Sequence, residues 1–205
     1  WIYFHGVSLA TVILNHIINQ TMKKRCLWAK DEPNTTYHDE EWGTPLHDDQ
    51  KLFEFLILEG AQAGLSWTTI LNRRDGYRKA FSNFDAKKVS KYTQKHVEKL
   101  LQNESIIRNK LKINSAINNA KLFLKVQNEF GTFDKYLWDF VNHKPIKNKF
   151  KKFSDLPATS EISEKLSKDL KKRGFNFVGP TICYALMQSV GMVNDHTSDC
   201  FLYKK

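Results

Sequence analysis

The chain has few cysteine, proline and glycine residues: three, five and nine among 205. Three cysteines are too few, and odd in number, for a disulfide framework, and the chain shows no convincing secretory signal peptide. The thiols are therefore expected to be free or to bind a metal. These features favour a reducing compartment and a cytoplasmic protein.

Long apolar runs are also absent. The longest near the start, residues 7–14, is too short to span a bilayer and lacks the basic flank and the small-residue cleavage site of a signal peptide. We therefore expect no membrane partner. Because Met22-Lys23-Lys24 resembles a natural start, we interpret residues 1–21 as an upstream extension or a cloning remnant that could form a short helix. Residues 22–205 are then the functional part, as one domain or two small helical lobes.

Sustained apolar–polar alternation, the pattern of a half-buried strand, is missing after Asp48, and helical spacing recurs instead. Asp48 or Asp49 can cap a helix that is apolar nearly all round and therefore central, and Gly60 and Gly64 are expected to loosen its far end. Further patterns predict helices after Ser66, after Thr93, over residues 106–124 and after Thr132, with an exposed loop over residues 142–157. The sequence predicts an all-α fold.

Positive charge is in excess, with 32 Lys and Arg against 22 Asp and Glu and a formal charge of +10. A polyanion is a natural partner for such a chain, although Lys-rich solvated faces can produce the same balance. The aromatic content of 13% favours nucleic acid, because bases stack on aromatic rings that lie beside cations.

A basic helical hairpin is predicted between a helix through Leu166 and another through Leu186. Glycine suits the left-handed end of the first helix, and proline suits the first turn of the second, where free N–H groups can bind phosphate. An ordinary helical hairpin is the alternative interpretation. The residues predicted to contact the DNA backbone are Lys171, Lys172, Arg173, Gly174, Gly179 and Thr181.

Two cysteines and two histidines form a candidate metal set at opposite ends of the chain. Cys26 and His38 lie near the start, and His196 and Cys200 lie near the end with a spacing that one helical turn would bring to one side. Four N and S ligands leave no open coordination position, so the metal would be a structural zinc that joins the two chain ends. The alternative is coincidence of spacing, and the third cysteine, Cys183, is expected in the core.

A carboxylate on an apolar helix face is the candidate for chemistry. Glu59 shares its stripe with Leu52 and Leu56, and a buried carboxylate is costly unless a structural partner or a ligand meets it. Both explanations remain open from spacing alone. The aromatic residues near it in sequence are Trp28, Tyr37, Trp42 and Trp67. An acid beside aromatic rings suits a flipped base.

Several long motifs in order resemble bacterial DNA-3-methyladenine glycosylase I, from about Arg25 to Tyr203. They are YHDEEWG at 37–43, LEGAQAGLSW at 58–67, FVNH at 140–143, KKRGFNFVG at 171–179 and TICY at 181–184. Residues 1–21 have no counterpart in the family pattern.

The resemblance implies a helix-hairpin-helix glycosylase fold, with one structural Zn²⁺ per chain at Cys26, His38, His196 and Cys200. It implies a base pocket containing Glu59, Tyr37 and Trp67, with Trp28 and Trp42 nearby. The wider superfamily carries a catalytic Asp after the hairpin, but the resemblance does not assign that role to Asp195.

The implied activity is monofunctional hydrolysis of the N-glycosidic bond of 3-methyladenine. The expected partners are double-stranded DNA with alkylated bases and free 3-methyladenine as product, and the protein is expected to be a monomer. Glu59 is expected to recognise the base, and general-base catalysis by the same carboxylate stays open. The rival predictions are a zinc-containing DNA-binding protein without catalysis and a basic scaffold or RNA-binding protein.

Overall fold

The computed structural model describes residues 23–203, and this part of the chain contains ten α-helices. Numbered α1 to α10, they are Asn34–Glu40, Asp49–Gln62, Trp67–Leu71, Arg74–Ala80, Ala86–Val89, Gln94–Leu101, Lys110–Phe130, Phe133–Asp139, Glu161–Lys172 and Pro180–Ser189. The all-α prediction is confirmed in that this part of the chain is mostly helical, but it did not include one pair of short strands. The prediction for residues 1–21 lies outside the described residues. Within residues 23–203, no helix combines the length and apolarity needed to cross a membrane.

Helix α2 is the centre of the packing. Its start is capped by the Asp48 side chain, which accepts from the Lys51 N–H at 2.8 Å. Every residue from Leu52 to Ala61 is buried, and the helix contacts α3, α7, α8 and α10. An element enclosed by four neighbours needs apolar groups on all faces, so the all-round apolar pattern predicted this central position correctly.

The glycines of α2 have a different role from the one expected. The helix continues through Gly60 to Gln62, so Gly60 does not loosen it. A Cβ at Gly60 would lie 3.2 Å from Cβ of Phe177, which shows that the missing side chain allows the hairpin to approach α2. The chain turns away only at Gly64, where φ is +77°.

The other predicted caps are present. Ser66 accepts from the Thr69 N–H, Thr132 accepts from the Lys135 N–H, and Thr93 forms a capping box. The long helix predicted over residues 106–124 is α7, which starts later because Asn109 caps it. The stripe after Ser66 is divided between α3 and α4.

The predicted loop over residues 142–157 is partly ordered by two short strands, β1 Ile146–Lys147 and β2 Val193–Asn194, which pair in parallel. Two residues are too few to show an alternating pattern, which is why the sequence did not reveal them. The pairing ties this loop to the segment after α10. One short 3-10 helix, Phe153–Asp155, follows β1, and a second, Ser82–Phe84, precedes α5.

The connection between α9 and α10 has the predicted hairpin geometry. Gly174 adopts a φ of +95°, Gly179 is the cap of α10, and Pro180 occupies its first turn. Asn119 of α7 holds the connection through the backbone of Asn176: its Oδ1 accepts from the N–H and its Nδ2 donates to the carbonyl, both at 2.9 Å. The hairpin is therefore fixed to the body of the protein.

Candidate functional site

A cavity of about 430 Å³ opens between α1, α2, α3, α10 and the loop after β1. The five residues predicted for the base pocket all line it: Trp28, Tyr37, Trp42, Glu59 and Trp67. Helix α10 adds Gln188 and Ser189, which the sequence did not predict. Ser189 has a recognisable signal, since it is a polar residue at helical spacing from the apolar Ile182 and Leu186.

Glu59 lines this cavity and is buried, with 3% of its surface exposed. Burial raises the pKa of its carboxyl to about 7, and the hydrogen bond from the Ser189 hydroxyl to Oε1 opposes that rise. No basic side chain within residues 23–203 forms an ion pair with it. The carboxyl group can therefore gain or lose a proton near neutral pH.

Tyr37 extends the same hydrogen-bonded chain from α1. Its hydroxyl donates to Oγ of Ser189 at 2.9 Å. Burial and the nearby Glu59 raise the pKa of Tyr37 well above its ordinary value, so the phenol stays neutral. The pocket thus presents a neutral phenol beside the carboxylate.

The aromatic walls of the pocket include an unused donor. The Trp67 ring lies 5.3 Å from the Tyr37 ring, and Trp28 meets Trp42 edge-on at 5.1 Å. Nε1 of Trp67 is buried without a hydrogen-bond partner among the described residues. A buried N–H without an acceptor is costly unless a ligand supplies one.

Asp195 is fully buried and lies outside the lining of the cavity. Its carboxylate accepts from Asn148 Nδ2 at 2.7 Å, the Tyr184 hydroxyl at 2.7 Å and Gln188 Nε2 at 2.8 Å. All three donors are neutral, and Gln188 reaches the cavity. The geometry makes Asp195 a group that orients the Gln188 amide.

Three of the four predicted metal ligands form one buried group. The ligand atoms of Cys26, His38 and Cys200 all lie within 4.8 Å of one another, which allows them to hold a metal ion. Nδ1 of His38 lies 2.8 Å from Oδ1 of Asp39, so Nε2 is left to face the sulfur of Cys200 at 3.4 Å. The Cys26 thiol and His38 hold the pKa of the Cys200 thiol below its ordinary value.

The fourth predicted ligand, His196, lies beside this group but outside the 4.8 Å set. Its ring is 4.9 Å from the His38 ring, and its Nε2 is buried without a partner among the described residues. Nδ1 lies 3.0 Å from Oδ1 of Asn194. Burial lowers the pKa of His196 to about 4, which leaves the imidazole neutral, the form that binds metals. The orphaned nitrogen and the N and S donor set fit a zinc ion.

The expectation that a helical turn brings His196 and Cys200 together was wrong. The chain here makes non-helical turns, and the Cys200 N–H donates to the Thr197 carbonyl at 2.8 Å. The two chain segments also pair without a metal, because the Phe201 N–H donates to the Lys24 carbonyl at 2.9 Å.

The metal-ligand group adjoins the cavity. The Trp28 ring is 5.3 Å from the His38 ring, and the Trp42 ring is 4.7 Å from the His196 ring. Both tryptophans line the cavity, so its aromatic wall packs directly against the histidines of this group.

The cations of the hairpin differ in their surroundings. Lys171 and Lys172 are exposed and form no ion pair with a described residue. Arg173, also predicted to contact DNA, donates to Glu129 at 2.6 Å and to Asp169 at 2.6 Å. A Cβ added at Gly179 would have no described atom within 4 Å, so its backbone is open to close approach.

A buried acid and aromatic rings line this cavity, and α10, which supplies part of its wall, begins at the basic hairpin. A family model described as methyladenine glycosylase matches residues 28–203. The chain belongs to this family and is therefore an enzyme of the DNA glycosylase class.

Named relatives agree with this assignment. The chain is 47% identical to the DNA-3-methyladenine glycosylase of Haemophilus influenzae, over 87% of this chain and 97% of the relative. It is 46% identical to DNA-3-methyladenine glycosylase 1 of Escherichia coli, over 88% and 97%. A solved structure of a variant of 3-methyladenine DNA glycosylase I in complex with 3-methyladenine is 35% identical, with a TM-score of 0.85 over 88% of this chain and 97% of that one.

Proposed function

We propose that this enzyme excises 3-methyladenine from alkylated double-stranded DNA by hydrolysing the N-glycosidic bond, with the flipped base enclosed in the cavity around Glu59. One observation carries the proposal: Glu59 is buried among aromatic rings, and no cation of residues 23–203 pairs with it. Such a site favours a ligand that brings positive charge.

Methylation at N3 places positive charge on adenine and weakens its bond to the sugar. A cation in the pocket favours the ionised form of Glu59, which then accepts hydrogen bonds from the base and stabilises its charge. Trp67 offers a neutral donor, the Tyr37 hydroxyl oxygen can accept from the base while its proton still points to Ser189, and the rings supply stacking surfaces. Selection of an already weakened bond is the main task of this pocket.

Water is the proposed nucleophile, and it attacks the sugar carbon. No lysine lines the cavity within the described part of the chain, so a Schiff base with the sugar has no nucleophile there. We therefore propose a monofunctional enzyme that leaves the DNA strand intact.

The α9–hairpin–α10 unit is proposed as the helix-hairpin-helix that binds the DNA backbone. The N-terminal end of α10 offers the open backbone of Gly179 and the exposed Thr181, and Lys171 and Lys172 add charge. The Gly174 turn connects the end of α9, which carries the lysines, with the segment that leads to the start of α10. Arg173 contributes through its pairs with Glu129 and Asp169, which hold the turn.

One structural zinc ion is proposed for Cys26, His38, His196 and Cys200. A bound zinc would neutralise the thiolates and use the orphaned nitrogen of His196. Stoichiometric zinc in the purified, folded protein, and its loss in Cys200→Ser, are the expected results. A stable folded protein without metal, unaffected by Cys200→Ser, contradicts the zinc proposal.

The activity is tested by release of free 3-methyladenine from methylated duplex DNA. Glu59→Gln keeps the shape of the side chain but removes its charge, and we expect it to lower kcat/KM by about 10²–10³-fold. Glu98→Gln, an exposed change on α6, is the matched control. An intact strand at the abasic product supports the monofunctional proposal.

No release by folded wild-type protein would refute the proposed substrate. Binding to methylated DNA without release would favour the non-catalytic rival. Equal affinity for duplex RNA and lesion-containing DNA would favour the RNA-binding one.

A further inference from the structure

We propose that Ser189 is a positioning residue that holds the Glu59 carboxylate and the Tyr37 hydroxyl in the arrangement that receives the base. The inference rests on the proposed role of Glu59 in base recognition.

The Ser189 hydroxyl is the junction of three helices. It lies at the end of α10 with 3% of the residue exposed. Its Oγ donates to Oε1 of Glu59 on α2, accepts from the Tyr37 hydroxyl of α1 at 2.9 Å, and lies 2.9 Å from the Ala185 carbonyl. No direct Tyr37–Glu59 hydrogen bond occurs in this arrangement, so the serine is the link between them.

A hydroxyl has one proton and two acceptor sites, which lets this junction satisfy both forms of Glu59. When Glu59 is ionised, the Ser189 proton points to the carboxylate. When Glu59 is protonated, its own O–H donates to Oγ, and the Ser189 proton turns to the Ala185 carbonyl. In both states Tyr37 continues to donate to Oγ. The carboxyl group can therefore change charge without leaving a buried group unpaired.

Few charged groups could stabilise the ionised Glu59 carboxylate in place of Ser189. On α1, Tyr37 faces Glu59, and Arg74 of α4 lies behind that tyrosine with Glu41 and Glu54. The Lys112 ammonium of α7 donates to the Ala61 and Ala63 carbonyls at 2.8 and 2.7 Å. These two residues follow Glu59 in the sequence, so the lysine is hydrogen-bonded to backbone carbonyls and not to the Glu59 carboxylate. On α10 and α3, the cavity-lining neighbours Gln188 and Trp67 are uncharged. The serine thus supplies the hydrogen bond that favours ionised Glu59.

The test is the titration of the Glu59 carboxyl, followed by ¹³C NMR with the signal assigned through its loss in Glu59→Gln. Ser189→Ala removes the hydrogen bond to both forms of Glu59, and the bond to the ionised form is the stronger of the two. The apparent pKa of Glu59 is therefore expected to rise by about one pH unit. The acidic limb of the kcat/KM profile should move upward with it. Affinity for free 3-methyladenine, measured by tryptophan fluorescence, should fall about fivefold to tenfold near pH 7.

Two variants provide the controls. Ser189→Thr keeps the hydroxyl and should restore the wild-type titration. Ser163→Ala removes another buried serine hydroxyl, bonded only within the first turn of α9, and should leave the Glu59 titration unchanged. If Ser189→Ala does not fold, Ser189→Cys keeps the size with a weaker donor and should give a smaller rise.

An unchanged Glu59 titration in folded Ser189→Ala or Ser189→Cys overturns the proposal. An equal change in Ser163→Ala also overturns it, because the effect would then be general. Failure of the wild-type enzyme to release 3-methyladenine refutes the proposed function instead, and the NMR titration still decides the role of Ser189.

Discussion

Two buried glutamates on the same helix have opposite surroundings. Glu54, near the middle of α2, accepts from Arg74 Nε at 2.6 Å and Arg78 Nε at 3.0 Å. Glu59, five residues on, has a serine hydroxyl as its only side-chain partner among the described residues. Exposure does not distinguish them, since 6% of Glu54 and 3% of Glu59 is accessible.

This difference distinguishes a carboxylate that stabilises the fold from one that is available to a ligand. A buried carboxylate whose charge is matched inside the protein stabilises the native packing only as part of its ion pair. A buried carboxylate without a cation lowers stability when ionised, and its charge is available to a ligand. The same contrast, between a paired group and an unpaired one, recurs at the tryptophans and at the hairpin cations.

The largest effect is expected for Glu54→Gln. The change leaves Arg74 and Arg78 buried or half-buried without their shared carboxylate and should cost about 3 kcal/mol in the free energy of unfolding. The loss stays at the low end because Arg74 keeps its two contacts to Glu41, at 2.6 and 2.8 Å. Urea denaturation at pH 7 measures the change in the free energy of unfolding. An unchanged value would mean that pairing does not distinguish Glu54 from Glu59.

Glu59→Gln should change stability in the opposite direction. Because the folded-state pKa is about 7 against an ordinary 4.5, wild-type stability falls as pH rises between these values and then levels off. Glutamine has no such loss, so the variant should be more stable by up to about 3 kcal/mol at pH 8 and equal to wild type near pH 4.5. Denaturation curves across this range check the sign, and a destabilised variant at pH 8 would contradict it.

Two tryptophans extend the comparison to donors. Trp138 Nε1 donates to the Leu46 carbonyl at 3.0 Å, whereas Trp67 Nε1 has no partner within the described residues. Trp138→Phe should therefore cost about 1 kcal/mol of stability beyond its loss of ring contacts. Trp67→Phe should cost no stability beyond its loss of ring contacts but should weaken binding of free 3-methyladenine about fivefold. Calorimetry and ligand titration separate the outcomes, and unchanged affinity would remove Trp67 Nε1 from base recognition.

The smallest effects are expected at the hairpin. Replacing both Lys171 and Lys172 by alanine should make the negative slope of log affinity against log salt concentration shallower by about two, with little change in stability. Arg173→Ala should reduce stability, since it removes the contacts to Glu129 and Asp169. An unchanged salt slope in the double variant would mean that these two lysines do not contact the DNA backbone.

Much of the fold followed from local patterns. The caps at Asp48, Ser66 and Thr132 act within one turn, so the residues that form them are close in sequence. The β1–β2 pair depends on distant segments and was missed. Gly60 was misinterpreted for the same reason, because its neighbour Phe177 lies far along the chain.

The pocket divides in a similar way. Helical spacing placed Glu59 on an apolar face, and the resemblance named the aromatic residues that line the cavity with it. Spacing could not tell Glu54 from Glu59, since both are acids in one apolar helix. Ser189 and Gln188 were missed because their roles depend on contacts to α1, α2 and the segment after α10.

The sequence by itself determined the family, the mainly helical fold and five of the residues around the cavity, because motifs, caps and apolar stripes are local properties of the chain. Only the tertiary structure decided which buried charges are matched and which are open to a ligand. It placed Arg74 beside Glu54 and a serine beside Glu59. Electrostatic pairing depends on distances between side chains from different helices, and these distances exist only once the helices have packed.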